Sequence, residues 1–186
     1  MNMTARLLAS IEPPPSTDAG RAAAVWRALE NVTDPEIPVL SVVDLGIIGG
    51  VNVTEARVTV EVTPTFVGCP ALDVIRENIR TAVAAALVLR NDEVTVKTVF
   101  DPPWTSDRIS ETGRRKLTAF GLAPPGERHD PYGAATCATN SDLALVLCPH
   151  CGGSQTDLES IFGPTLCRSI HYCRDCLQSF EHFKPV

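Results

Sequence analysis

The sequence lacks a long hydrophobic run and has no surplus of positive charge. It carries 16 Lys and Arg against 22 Asp and Glu, a formal net charge of −6 over 186 residues. Nucleic-acid-binding proteins usually present a basic surface, so this composition argues against a nucleic-acid partner. No apolar stretch approaches the roughly 20 residues that cross a bilayer, and the stretch at residues 7–9 is too short for a signal-peptide core. We therefore predict a cytoplasmic protein without a membrane or nucleic-acid partner.

Histidine is scarce as well, and the first of the 4 histidines is His129. Cys69 consequently has no imidazole in its own part of the chain to serve as a general base, and a cysteine hydrolase usually depends on one. A cysteine-hydrolase mechanism is therefore disfavoured, and metal or sulfur handling by Cys69 stays open.

Proline content and hydrophobic periodicity divide the chain into four segments. Residues 1–19 contain Pro13, Pro14 and Pro15 and are predicted to form a mobile tail. Apolar spacing in the second segment predicts helices at about 17–33, 70–89 and 106–120 and strands at 47–53, 58–62 and 93–100. This order indicates an α+β fold, a small mixed sheet with its helices on one face. The segments are a tail (1–19), an α+β domain (20–122), a linker (123–142) and a cysteine-rich unit (143–186).

The cysteine-rich unit contains two C-x-x-C pairs. Cys148 and Cys151 form the first, followed by two glycines, and Cys173 and Cys176 form the second after 21 intervening residues. Two such turns present four thiolates tetrahedrally, which predicts a zinc ribbon held by these cysteines. Free or redox-active thiols are the alternative, and Cys167 is a rival ligand. The ribbon's histidines and its aromatic residues Phe162, Tyr172, Phe180 and Phe183 are interpreted as surface or packing residues, the aromatics lying against the metal turns.

Cys69 precedes Pro70 at the predicted start of the second helix. Unpaired backbone N–H groups and the helix dipole at that position stabilise a thiolate, so we expect a reactive or metal-binding cysteine. Burial as a small apolar side chain is an equal alternative.

Three motifs carry a resemblance to known families. DPEIPVLSVVDLG at 34–46 and TPTFVGCP at 63–70 resemble the small domain of iron–sulfur cluster assembly factors, over about residues 21–122. DPPWTSDRISETGRRKL at 101–117, followed by the four-cysteine ribbon, resembles PaaD-type accessory subunits of the phenylacetyl-CoA epoxidase system.

The resemblance implies a non-catalytic factor that helps to mature iron or iron–sulfur centres in aerobic phenylacetate degradation, with the epoxidase subunits or their reductase as partners. It also implies that Cys69 is the cluster-associated residue. The remaining signature positions are Asp34, Glu36, Asp44, Thr63 and Thr65. One cysteine cannot hold a cluster that takes four thiolates, so a transient cluster or iron would be shared with a second copy in a homodimer, with a cysteine such as Cys137, or with a partner. A rubredoxin-like electron-transfer component, with iron in the ribbon, is the alternative.

Overall fold

The computed structural model describes residues 17–54, 56–66, 68–126 and 146–186. The predicted tail, apart from its last three residues, lies outside these ranges, as do most of the predicted linker and Cys137. The elements, in chain order, are α1 (Asp18–Leu29), β1 (Ile48–Val53), β2 (Val58–Val62), α2 (Leu72–Leu87), β3 (Val94–Thr98), α3 (Glu111–Phe120), β4 (Leu122–Ala123), β5 (Thr156–Ser160), β6 (Arg168–Cys173) and β7 (Gln178–Phe183).

The first sheet is mixed and has one buried face. β1 pairs antiparallel with β2, and β2 pairs parallel with β3. Val58, Val60 and Val62 of the central strand are fully buried, because alternate residues of a strand point to the same face. Ile75 and Ile79 of α2 belong to the same core, so the helices cover this face. The predicted α+β fold class is confirmed.

Capping residues set the helix boundaries. The Thr17 hydroxyl accepts a hydrogen bond from the Gly20 N–H at 3.1 Å and starts α1. The third helix was predicted to begin near Ser106, but residues 106–108 form a separate 3₁₀ turn. Ser110 is extended and accepts the Gly113 N–H at 2.9 Å, so the α-helix begins only at Glu111.

The second sheet joins the ribbon to the first domain. Its strand order is β4-β7-β6-β5, and β4 pairs parallel with β7 through Leu122 and Ala123. Because β4 directly follows α3 in the chain, the first domain contributes an edge strand to the ribbon's sheet. The boundary predicted after residue 122 falls inside this strand.

Apolar packing also connects the two units. Phe183 at the end of β7 is 2% exposed and lies in the core of the first domain, with its ring centroid 6.2 Å from that of Trp104. The Trp104 indole N–H donates to the Leu45 carbonyl at 2.9 Å, and the Ser106 N–H donates to the Val186 carbonyl at 3.2 Å. The ribbon is therefore docked on the first domain. Phe180 does pack beside the four-cysteine turns, as expected, but Phe183 does not.

Candidate functional site

The structure brings four cysteine sulfur atoms together at one end of the ribbon. Cys148 and Cys151 lie on the turn before β5, Cys173 ends β6, and Cys176 lies in the turn between β6 and β7. The four sulfurs all lie within 4.8 Å of one another. Gly152 adopts a φ of 74°, a left-handed conformation that glycine reaches without strain, and so lets the chain turn back after the first pair.

The sulfur separations test whether a metal fits. The Sγ atoms of Cys148 and Cys176 are 3.7 Å apart, and those of Cys151 and Cys173 are 3.6 Å apart. A tetrahedral zinc with Zn–S bonds of about 2.3 Å requires sulfurs about 3.8 Å apart, whereas a disulfide requires about 2.05 Å. The cluster therefore matches a four-thiolate metal centre and not a disulfide.

The protonation of the cluster also favours a cation. Backbone N–H groups of Cys176 and Asp175 lower the pKa of Cys173 to about 7. Burial and the neighbouring thiols raise the pKa of Cys176 to about 12. Four thiolates at these separations repel one another, and a bound divalent metal would stabilise all four in the ionised form.

Cys69 lies at a second location, in the loop that leads into α2. Its carbonyl accepts the Leu72 N–H at 3.2 Å, and its sulfur accepts the backbone N–H of Ala71. Burial nevertheless raises the pKa of Cys69 above its ordinary value, and the carboxylates of Asp34 and Glu36 add to the rise. The expected stabilisation of a thiolate by the helix end is present but is outweighed, so the unloaded residue is a thiol.

Cys69 lines a cavity of about 250 Å³ between the two units. Glu36, Thr65, Phe66, Cys69 and Pro70 form the wall on the first domain, and residues 163–167, in the loop between β5 and β6, form the ribbon's wall. Cys167, treated above as a rival ligand for the ribbon metal, faces this cavity and is not among the four clustered sulfurs. Burial raises its pKa too, although the Thr165 hydroxyl lies 3.0 Å from its sulfur.

Two of the acidic signature residues shape the wall beside Cys69. One carboxylate oxygen of Asp34 accepts the Glu36 N–H at 2.7 Å and the Ile37 N–H at 3.0 Å, which fixes the turn that carries Glu36. The Glu36 carbonyl accepts a hydrogen bond from Arg168 at 2.7 Å, and Arg168 also forms an ion pair with Glu181 at 2.7 Å. The turn of the first domain is thereby tied to the ribbon.

The remaining signature residues have different environments. Asp44 is buried and accepts hydrogen bonds from the Ser41 N–H and hydroxyl and from Lys116, away from the cavity. Burial by itself would raise the pKa of Asp44, but the bonds from Lys116 and Ser41 outweigh it, and the pKa is lowered. Asp44 therefore anchors α3 as an ionised group. Thr63 is buried at the end of β2, while Thr65 borders the cavity.

The ribbon histidines do not join the four-sulfur cluster. His171 and His182 are buried, with their rings 5.3 Å apart, and the Ser169 hydroxyl lies 3.1 Å from Nε2 of His171 and 3.4 Å from Nδ1 of His182. Both are packing residues. His150 is exposed.

Comparison with known proteins links both units to described families. The PaaD zinc beta ribbon domain model matches residues 132–184, and the iron-sulfur cluster assembly protein model matches residues 22–96. A putative 1,2-phenylacetyl-CoA epoxidase subunit of Escherichia coli (strain K12) is 32% identical over 181 residues, which is 96% of this chain and 98% of that protein. The chain belongs to the PaaD family. The resemblance stated from the sequence motifs is confirmed.

Shorter proteins match one part of this PaaD family member. The Fe-S protein maturation auxiliary factor of Porphyromonas gingivalis is 40% identical over 94 residues, 50% of this chain and 87% of that protein. A solved structure of a domain of unknown function, DUF59, from Bacillus anthracis has a TM-score of 0.50 and 25% identity, covering 54% of this chain and 93% of its own. Within the described ranges, no helix is long and apolar enough to cross a membrane.

Proposed function

We propose that the chain is an accessory factor that matures the iron or iron–sulfur centres of a phenylacetyl-CoA epoxidase system and performs no catalysis itself. In this role Cys69 holds iron or a cluster transiently, and the ribbon docks the epoxidase subunits or their reductase. The cytoplasm, where thiols stay reduced, is the compartment that this chemistry requires. Three relatives called Fe-S protein maturation auxiliary factors and one called an epoxidase subunit support the proposal.

Zinc is the metal that we propose for Cys148, Cys151, Cys173 and Cys176. Sulfur separations of 3.6 and 3.7 Å suit it, and a site closed by four protein ligands leaves no open position for a substrate. The four cysteines would hold the metal, and the metal would supply a cross-link in place of a large apolar core. Among the described residues, the buried cluster beside the ribbon cysteines is small and consists of Ala123 of β4 together with Val146, Cys148, Cys173 and Phe180.

The observation that carries the proposal for Cys69 is its position in the cavity. A thiol that is half-buried, borders a space of about 250 Å³ and accepts one backbone N–H can exchange its proton for a soft metal. The raised pKa favours the protonated thiol once the cargo leaves, which suits a donor rather than a permanent holder.

The experiment compares iron loading of the epoxidase in cells. Cells that lack this protein are supplied with the unaltered chain, with Cys69→Ser or with Cys137→Ser, and the epoxidase oxygenase subunit and the reductase are purified anaerobically. Iron and acid-labile sulfide per subunit should fall with Cys69→Ser, and an equal fall with Cys137→Ser would identify Cys137 as a cysteine that shares the cargo. Full loading by the Cys69→Ser chain would refute the role of this cysteine.

Metal analysis separates this function from electron transfer. Zinc at one equivalent per chain and a colourless ribbon support the maturation factor. A single iron bound by the ribbon cysteines, with visible absorption that bleaches on reduction, would support the rubredoxin-like alternative instead.

A further inference from the structure

The ribbon contributes a second thiol to the Cys69 cavity. Cys69 lies on the first domain's wall and Cys167 on the ribbon's wall of the same space. The two are close enough that the charge of a Cys167 thiolate raises the pKa of Cys69, and the Glu36 carboxylate raises the pKa of both thiols. Two cysteines from distant parts of the chain are therefore placed on one cavity that also has a carboxylate on its rim.

We propose that Cys69 and Cys167 together form a two-thiolate half-site that holds one iron of a [2Fe–2S] unit and leaves the second iron open to a recipient protein. This inference rests on the proposed function, and it names the missing ligand. Each iron of such a cluster takes two protein thiolates, so two cysteines complete one iron and not both. An incompletely ligated cluster is suited to transfer, because the recipient's thiolates can attach before the donor's are released.

The cavity has the size and the anchoring for this cargo. Its volume of about 250 Å³ corresponds to the share of roughly eight water molecules at about 30 Å³ each, which leaves room beyond the two sulfurs. The ribbon's wall is fixed by two links: the Lys184 N–H donates to the Cys167 carbonyl at 2.9 Å, and Arg168 donates to the Glu36 carbonyl at 2.7 Å. Cys167 is thus held against the first domain rather than on a free loop.

Binding of the iron to Cys69 and Cys167 exchanges protons for metal–sulfur bonds. Both thiols lose a proton to solvent as two S–Fe bonds form, and both regain one when the bonds break on transfer. No electron moves between protein and cluster. Loading therefore releases two protons and is favoured by a higher pH, because both thiols have raised pKa values.

The shorter relatives are too short to contain both walls of this cavity. The Porphyromonas gingivalis factor matches half of this chain, and since 87% of its own length is already covered, it has no room for a ribbon. In this chain the second thiol, Cys167, comes from the ribbon. It gives the ribbon a role in cargo binding in addition to docking.

Anaerobic reconstitution of the full-length zinc-loaded chain with ferric iron and sulfide, which supply the diferric [2Fe–2S] unit without an added oxidant, tests the half-site. Iron affinity, acid-labile sulfide and visible absorption are compared for the unaltered chain, Cys69→Ser, Cys167→Ser and Cys137→Ser, with zinc content as the check on folding. We expect Cys69→Ser and Cys167→Ser to lose iron affinity by about 10- to 100-fold or more, because loss of a residue that only supports a metal ligand already costs that much. Cys137→Ser should lose none. Loss with Cys137→Ser but not with Cys167→Ser would overturn the inference.

Alkylation of the native chain provides a readout that needs no variant. Iron and sulfide loading should slow the modification of Cys69 and of Cys167 together, as measured by peptide mass spectrometry. Protection of Cys69 alone would refute the half-site and leave the proposed function standing. Protection of neither thiol would remove both.

Discussion

The four-sulfur cluster and the Cys69 cavity differ in how their ligands are assembled. The cluster takes its four cysteines from two short turns of one unit, and its sulfurs already lie at metal-binding separations. The cavity takes one cysteine from each of two units and leaves about 250 Å³ between its walls. The first arrangement is closed by local backbone geometry, whereas the second exists only while the ribbon is docked.

This difference separates a structural metal from a transient one. A site with four protein thiolates satisfies a tetrahedral ion completely and contributes its binding energy to folding. A site with two thiols leaves coordination positions that another protein can fill. Removal of the metal from the four-sulfur cluster should therefore unfold the ribbon, whereas removal of iron from the Cys69 cavity should leave the fold intact.

The largest effect is expected for Cys173→Ser. Structural zinc contributes roughly 10–16 kcal/mol to zinc-dependent folds, and serine is a poor zinc ligand, so the variant should lose zinc and the ordered ribbon. Proteolysis should then cut within residues 146–186 while the first domain resists. Chelation of the unaltered chain should produce the same fragments. A variant with an intact, protease-resistant ribbon would show that the cluster does not support the fold.

The two sites also differ in how far they could be predicted from the sequence. C-x-x-C spacing is local, so four thiolates on two turns are visible without a structure, and the periodic helices and strands of the first domain were visible for the same reason. Cys167 could not be placed on the Cys69 cavity, because that proximity depends on how β7 docks. Phe183 follows the second cysteine pair, and only the tertiary structure shows that it fills the first domain's core. The short β4 pairing had no signal beyond two apolar residues before a proline pair.

The second-largest effect is expected at the contact between Phe183 and Trp104, which docks the ribbon on the first domain. Phe183→Ala removes a nearly fully buried ring from beside Trp104 and should cost about 3–5 kcal/mol of unfolding free energy. Zinc should stay bound, because Phe183 does not belong to the cluster beside the cysteines. Iron loading of the Cys69 cavity should fall, because the ribbon that carries Cys167 is no longer held against the first domain. Phe180→Ala is the matched control, since it should weaken zinc retention instead.

A smaller effect is expected from acid titration of the ribbon's core. Burial, followed by the charge of His171, lowers the pKa of His182 to about 3 from an ordinary value of 6.5. The unfolded chain then binds more protons than the folded one between these values, so the free energy of unfolding falls as the pH falls through that window. The slope from this histidine is at most about 1.4 kcal/mol per pH unit.

Urea unfolding between pH 6.5 and 5.5 measures this slope. The His182→Gln variant should show a flatter dependence than the unaltered chain, whatever its stability at neutral pH. Zinc content must be followed at each pH, because the thiolates also bind protons in acid. Equal slopes in the two chains, with zinc still bound, would show that His182 is not buried in the neutral form.

The smallest change in stability is expected for Cys69→Ser. A serine hydroxyl can accept the Ala71 N–H in place of the sulfur, and the residue is only half-buried, so the free energy of unfolding should change by about 1 kcal/mol or less. The same Cys→Ser exchange at position 173 should abolish the ribbon fold but leave Cys69 in place on its domain. Thermal unfolding and iron titration of the two variants side by side should therefore separate them by stability. Both should lose iron binding, because the cavity needs the docked ribbon, but only Cys173→Ser should lose the fold of the ribbon. If Cys69→Ser were as destabilising as Cys173→Ser, the cavity would be a structural site, and the distinction between a permanent and a transient metal would fail.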